Sequence, residues 1–230
     1  PLEYLENNLI INYNIVHAAR EQKIVRFITL GSSCSYSENV PLPNVETQLW
    51  QGYPENTYGI CKLVLLEHLE KQNDFEWVYL IPPNIFGPGD HFGEKDAHFI
   101  PSTVKKLEDA VASNTDSIVA WGDGSQTRDF VYIDDLVYFL IEAFNNEKYN
   151  HCVLNISTGI EISIKDIVSQ IMECMGLLGR INVIWDITRP VGSKRKVLSN
   201  ERLLKLNPNY KFIPFSDGLQ KTISEYMEGK

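Results

Sequence analysis

The sequence predicts an α/β protein organised on a doubly wound parallel sheet. Three observations predict it. Helix-period and strand-like segments alternate through the first 90 residues. The strand-like segments are continuous apolar runs, as strands buried on both faces require. Proline and glycine clusters stop them. Taken in order, residues 2–21 place Leu2, Leu5, Leu9, Tyr13 and Val16 on one helical face. Ile24–Leu30 reads as a buried parallel strand and Thr57–Gln72 as the next helix. Glu76–Ile81 is a second strand, stopped by Pro82-Pro83-Asn84 and the turn Gly87-Pro88-Gly89-Asp90. Beyond about residue 90 the order loosens. Helices are expected near Ile100–Ala112, Asp134–Phe144, Ser163–Met175, Asn200–Leu206 and Ser216–Tyr226, and strands near Ile118–Trp121, Asp129–Tyr132, Val153–Ile156 and Ile181–Trp185. Much of this second half is expected to form a smaller cap at the carboxyl edge of the sheet, where open α/β sheets bind ligands.

Composition narrows the function classes. The chain has 230 residues, 43% hydrophobic and 22% charged, enough to bury a sizeable core in one large domain or two small ones. Its formal charge of -9 argues against a nucleic-acid partner, because phosphate backbones are held by excess Lys and Arg. An anionic ligand must therefore be met by a local cluster of cations. Cys34, Cys61, Cys152 and Cys174 form no close pair, so neither a metal site nor a disulfide framework is signalled. No apolar stretch approaches the length of a membrane span, and a signal-peptide pattern is missing from the first residues. The expectation is a cytoplasmic protein with no membrane partner.

The chemistry concentrates around Tyr58-Gly59-Ile60-Cys61-Lys62. Tyr58 and Lys62 lie one helical turn apart, following Ser32 at the end of the first strand. A phenol with a free pKa near 10 is a poor proton shuttle at neutral pH. An ammonium beside it favours the phenolate, and a serine hydroxyl can share the proton. That set suggests carbonyl reduction with a nicotinamide cofactor. The spacing alone also fits an ordinary surface pair; a second Tyr-x-x-x-Lys, Tyr226 to Lys230, has no serine strand before it.

Several motifs in fixed order support a family resemblance. Gly31-Ser32-Ser33-Cys34-Ser35-Tyr36, Tyr58-x-x-x-Lys62, Pro83-Asn84-Ile85-Phe86-Gly87-Pro88 and Arg128-Asp129-Phe130-Val131-Tyr132-Ile133-Asp134-Asp135 resemble the extended short-chain dehydrogenase/reductases acting on nucleotide sugars. Gly31 to Cys34, His98-Phe99-Ile100-Pro101, Trp121 to Gly124 and Arg195-Lys196 resemble the GDP-L-fucose synthase branch. The enzymes of that branch use NADPH, epimerise C3 and C5 of GDP-4-keto-6-deoxymannose and then reduce C4. The likeness spans almost the whole chain.

The resemblance implies an incomplete Rossmann-like doubly wound parallel sheet with a smaller α/β substrate-binding cap. Residues 1–90 would be the C-terminal part of the dinucleotide-binding domain. Residues 91–230 would mainly bind the nucleotide sugar, with some segments returning to the sheet. It also implies roles. Ser32 hydrogen-bonds the C4 oxygen, Tyr58 protonates it, and Lys62 stabilises the tyrosinate and touches the nicotinamide ribose. Cys34 and His98 act as base and acid in epimerisation, which needs proton removal and return on opposite faces. Pro82, Asn84 and His98 join Tyr58 and Lys62 around NADP, with NAD not excluded. Asn84, Lys106, Trp121, Arg128 and Lys196 hold a nucleotide sugar, expected to be GDP-linked. The helices Leu2–Glu21 and Thr57–Gln72 resemble those through which the family pairs into dimers by a four-helix bundle, so a homodimer is expected.

Three departures accompany the likeness. Lys106 stands where arginine is usual, losing the bidentate fork, and Val191 stands where an aspartate is usual. No glycine precedes Gly31, so no Gly-x-x-Gly-x-x-Gly turn cradles a pyrophosphate. The expectation is that this is the carboxyl-terminal portion of a longer enzyme, with roughly 75 to 80 residues before Pro1. As it stands, the chain should bind NADPH weakly. Readings left open are a plain 4-keto reductase, another nucleotide-sugar epimerase, and a truncated non-catalytic scaffold. A dehydratase usually carries an acidic pair after the serine strand, where this chain has Cys34-Ser35.

Overall fold

The computed structural model describes residues 2–93 and 97–229; Pro1, residues 94–96 and Lys230 lie outside them. In chain order the elements are α1 (Leu2–Glu21), β1 (Arg26–Leu30), α2 (Thr57–Lys71), β2 (Glu76–Ile81), β3 (Asn84–Phe86) and α3 (Phe99–Ala112). They are followed by β4 (Ser117–Trp121), β5 (Thr127–Arg128), β6 (Phe130–Tyr132), α4 (Ile133–Asn145), β7 (Cys152–Asn155) and β8 (Ile162–Ser163). The last are α5 (Ile164–Cys174), β9 (Asn182–Asp186), β10 (Arg195–Lys196), α6 (Glu201–Leu206) and α7 (Phe215–Glu228). The chain forms two compact units.

The first unit comprises residues 1–83, 135–159 and 197–211. Its sheet has the order β1-β2-β7, all parallel, with Leu30 opposite Leu80 and Val78 opposite Cys152. Central β2 buries every residue after Glu76, the signature of a strand covered on both faces. The core gathers Val16, Ala19, Leu66, Leu69, Trp77, Tyr79, Ile81 and Leu198. β1 is shorter than the sequence suggests. The Ile24 N–H closes back onto the Ala19 carbonyl, after Lys23 takes a left-handed φ of 51° to end α1. α1 also buries less of its apolar face than its periodicity suggests. Val16 and Ala19 are buried, whereas Leu2 and Tyr13 are exposed.

A buried polar network ties the returning segments to the first 50 residues. Asn155 donates from Nδ2 to the carbonyls of Asn44 and Ser199, and from its backbone N–H to Glu46. The Tyr36 hydroxyl donates to Asn155 Oδ1 at 2.7 Å. Every partner is satisfied internally, so the network specifies one arrangement of these loops.

The second unit comprises residues 84–134, 160–196 and 212–230. It holds the parallel pairs β3-β6 and β4-β9 and the mixed sheet β10-β5-β8. Its core joins α3, α5 and α7 through Val104, Leu107, Ile167, Ile171, Leu219 and Ile223. Two sequence expectations change here. Asn84 belongs to a strand rather than a stop, since β3 pairs with β6. The strand expected over Asp129–Tyr132 is β6, and a separate strand, β5, precedes it, because the chain changes partner at Asp129. β5 pairs with β8 and β10, whereas β6 pairs with β3.

Candidate active site

The first unit gathers Ser32, Cys34, Tyr58, Lys62 and Pro82 at the carboxyl ends of β1 and β2. The sequence builds this corner locally. β1 ends at Leu30, and Ser32 then caps a short 3-10 turn, its Oγ accepting from the Cys34 N–H at 3.1 Å. Ser33 N–H donates to the Pro82 carbonyl at 3.3 Å, which fixes the turn beside the end of β2. Asn56 caps α2, its Oδ1 accepting from the Gly59 N–H at 2.8 Å. Tyr58 and Lys62 therefore sit in the first turn and a half of a well-started helix.

Gly59 brings that helix in. A Cβ there would lie 2.0 Å from the Cys34 carbonyl oxygen, so only glycine permits the approach. Gly31 has a parallel role: a Cβ on it would lie 2.3 Å from the ring of Tyr79. Asn56, Gly59 and Tyr79 are absent from the sequence-derived site. The Asn56-x-x-Gly59 cap was readable as a helix start, but the close approach of Gly59 to Cys34 was not.

The electrostatics differ from the expectation that the ammonium controls the phenol. Lys62 Nζ lies 5.5 Å from the Tyr58 ring centroid and donates to the Leu30 carbonyl at 2.9 Å. Burial pushes the Tyr58 phenol up, with Cys34 and Tyr4 adding to the rise and a side-chain hydrogen bond to Ser32 opposing it. Burial also pushes the Lys62 ammonium down. Both groups are half-buried, and both shifts disfavour the charged form. At neutral pH the phenol is a proton donor held beside a serine hydroxyl.

The second unit carries Asn84, His98, Lys106, Trp121, Arg128 and Lys196. It brings three of them together. A cavity of about 600 Å³ is lined by Lys106, Trp121 and Arg128, with Phe99, Gln126, Ile164 and Val191 completing much of its wall. Lys106 lies on α3, donating to the Val119 carbonyl at 3.3 Å, and Arg128 on β5 donates to the Thr127 carbonyl at 2.7 Å. The exposed Trp121 ring has the Arg189 guanidinium 5.7 Å from its centroid. A cavity with an aromatic plane, two cations and apolar walls suits an aromatic ring bearing phosphates. Gln126 and the segment Pro190-Val191-Gly192 line it as well; of these the sequence singled out Val191 alone, as a departure from the family pattern.

The remaining three residues stand apart from that lining. Lys196 pairs across the sheet with Arg128. Asn84 donates from Nδ2 to the Asp129 carbonyl at 2.8 Å. His98 precedes α3 with its side chain 78% exposed and Nδ1 3.5 Å from Asp90 Oδ1. No group of His, Cys, Asp and Glu that could hold a metal ion occurs among the described residues. No helix among them is long and apolar enough to cross a membrane.

Comparison with known proteins places these features in a family. The profile of the NAD dependent epimerase/dehydratase family matches residues 1–157. A GDP-L-fucose synthase of Escherichia coli (strain K12) is 30% identical over 244 residues, covering 100% of this chain and 75% of that protein. A GDP-L-colitose synthase of Yersinia pseudotuberculosis is 28% identical over 237 residues, covering 100% of this chain and 76% of its own length. In fold, the chain matches a GDP-L-fucose synthetase from Naegleria fowleri bound to NADP. That match has a TM-score of 0.89 at 23% identity over 99% of this chain and 74% of that one. The chain belongs to the NAD dependent epimerase/dehydratase family, and its sheet is Rossmann-like.

Proposed function

From that membership, we propose that the protein is an NADP-dependent nucleotide-sugar 3,5-epimerase/4-reductase of the GDP-L-fucose synthase type, acting on a GDP-4-keto-6-deoxyhexose. The observation that carries the reading is the corner of Ser32, Cys34, Tyr58 and Lys62, where Gly59 seats the catalytic helix directly against the Cys34 carbonyl. The donor set fits the nicotinamide end of the cofactor: a half-buried ammonium, a neutral phenol and a serine hydroxyl at the carboxyl ends of parallel strands. NADPH, when bound, supplies the hydride; Tyr58, Lys62, Pro82, Asn84 and His98 are the residues assigned to hold it. Residues 1–30 contain no glycine and so provide no turn for its pyrophosphate.

The residues divide the work. Ser32 donates to the C4 oxygen of the sugar, and Tyr58 delivers a proton to it. A phenol kept neutral by burial has that proton available. Lys62 stabilises the phenolate left behind and orients the ribose. Cys34 and His98 remove and return the protons at C3 and C5. Arg128, Lys106 and Lys196 hold the diphosphate, Trp121 borders the base, and Asn84 contacts the sugar. The exposed Ile10, Ile11 and Ile15 of α1 and Val64 of α2 supply an apolar face for a homodimer. A cytoplasmic setting agrees with the reduced cofactor and with cysteines whose spacing signals no disulfide framework.

The test is turnover in deuterium oxide. With GDP-4-keto-6-deoxymannose and NADPH, the product should carry deuterium at C3 and C5 with one NADPH oxidised per product. Reduction without deuterium at those carbons replaces this reading with a plain 4-keto reductase. Sedimentation should give a mass of two chains, and a monomer would remove the dimer from the proposal.

A further inference from the structure

One buried titratable side chain has no part in the chemistry above. Tyr79, on central β2, has no exposed surface. Its hydroxyl donates to the Lys62 carbonyl oxygen at 2.8 Å, a bond 17 residues apart in sequence. In an α-helix that carbonyl already accepts from the N–H four residues on, so the phenol takes its second lone pair. Ser35 lies beside the same phenol, and its hydroxyl donates to the Gly59 carbonyl at 3.4 Å. The Tyr79 ring crosses the main chain at Gly31, filling the space a Cβ would need.

One rigid side chain, with Ser35 beside it, thus spans three backbone points. Gly31 precedes Ser32, Gly59 follows Tyr58, and the third is the carbonyl of Lys62 itself. We propose that Tyr79 is a positioning residue for the reductive step, its hydroxyl fixing the first turn of α2 against the Gly31–Ser35 segment and so setting the separation of Tyr58 from Ser32. The proposal rests on the assignment of Ser32, Tyr58 and Lys62 to proton transfer. Tyr79 touches neither substrate nor cofactor in it.

The physical consequence has a sign. Tyr58 is faced by Cys34 from the 3-10 turn, by Tyr4 from α1 and by Lys62 from its own helix; Tyr79 is faced by Tyr36 and Tyr58. Of these influences on Tyr58, the Ser32 hydrogen bond lowers its pKa. Releasing the turn weakens that bond, so the phenol should titrate at a higher pH. The fold should change little, because the Lys62 carbonyl keeps its helical partner.

Tyr79→Phe tests this, since it retains the ring over Gly31 and removes only the hydroxyl. In the ligand-free chain labelled with tyrosine enriched at Cζ, the Tyr58 resonance, assigned through Tyr58→Phe, should titrate at higher pH than in the parent protein. The kcat for 4-keto reduction should fall roughly ten- to hundredfold with KM little changed, as expected for a misplaced catalytic group. An unmoved Tyr58 titration overturns the proposal, whatever the rate does. Should Tyr79→Phe fail to fold, Ser35→Ala cuts the other arm of the clamp and must move the titration in the same direction by less; no movement there also overturns it. A shifted titration in a protein that reduces no nucleotide sugar upholds the positioning role and defeats the proposed function instead.

Discussion

The two units hold their candidate residues in opposite ways. In the first, Ser32, Tyr58 and Lys62 are half-buried on short, hydrogen-bonded segments, and the approach of α2 is set by a glycine with no room for a methyl group. In the second, Lys106 and Trp121 are exposed around an open cavity, Arg128 is half-buried beside them, and long side chains carry the charge. The difference fits the tasks proposed for them. Proton transfer needs groups held within a fraction of an ångström and shifted by their surroundings. Gripping a diphosphate needs positive charge within reach, and the ligand itself completes the geometry.

If that contrast holds, damage to the first unit should abolish chemistry and damage to the second should weaken binding. The largest effect belongs to Tyr58→Phe, which removes the proton donor. Its kcat should fall by about 10²–10⁴ with KM nearly unchanged, measured by NADPH oxidation. A loss confined to KM would mean that the first unit binds rather than reacts. Next comes Cys34→Ser, for which deuterium incorporation at C3 and C5 should fall by roughly 10². Reduction of an already epimerised substrate should persist. Equal loss of both would place Cys34 in the packing instead.

Stability should show the buried phenols of the first unit directly. Burial holds Tyr36 and Tyr79 far above the ordinary phenol range and pushes Tyr149 up to about 12. The native state therefore keeps these protons where the unfolded chain releases them. Their contribution is complete below pH 10 and declines as pH rises above it, by about 1.4 kcal/mol per pH unit for each phenol. Denaturant titrations at pH 9 and pH 11 check this; flat stability between them would contradict the buried network. Gly59→Ala should cost roughly 1–3 kcal/mol of stability, because the new methyl group meets the Cys34 carbonyl. A matching thermal shift measurement would reveal a helix able to retreat if nothing changes.

The smallest effect is expected in the second unit. Arg128→Lys should weaken GDP binding about tenfold by calorimetry, through loss of the guanidinium fork, while leaving the reduction rate at saturation unaltered. A fall in kcat as large as that of Tyr58→Phe would erase the division between the units.

Legibility in the sequence follows sequence distance. The pairing of Ser32 with Cys34, and of Tyr58 with Lys62, is decided inside a turn or a helix, and residue spacing alone displays it. The helices were readable to within a residue or two because α3, α4, α5 and α7 have a strong apolar period. Short strands such as β3, β5, β8 and β10 span two or three residues, too few for any periodicity. The wall that Val191 and Gly192 give to the cavity could not be read, since it depends on β10 lying beside β5.

The sequence by itself determined the α/β class and the order of the elements and singled out the candidate reacting groups, because each is written in local period, stop signals and motif spacing. Only the tertiary structure decided how the chain divides into two units, that burial is the largest influence on the Tyr58 phenol, and that the Tyr79 hydroxyl meets the Lys62 carbonyl. Those outcomes depend on desolvation and on contacts between distant segments, which exist only once the chain has folded.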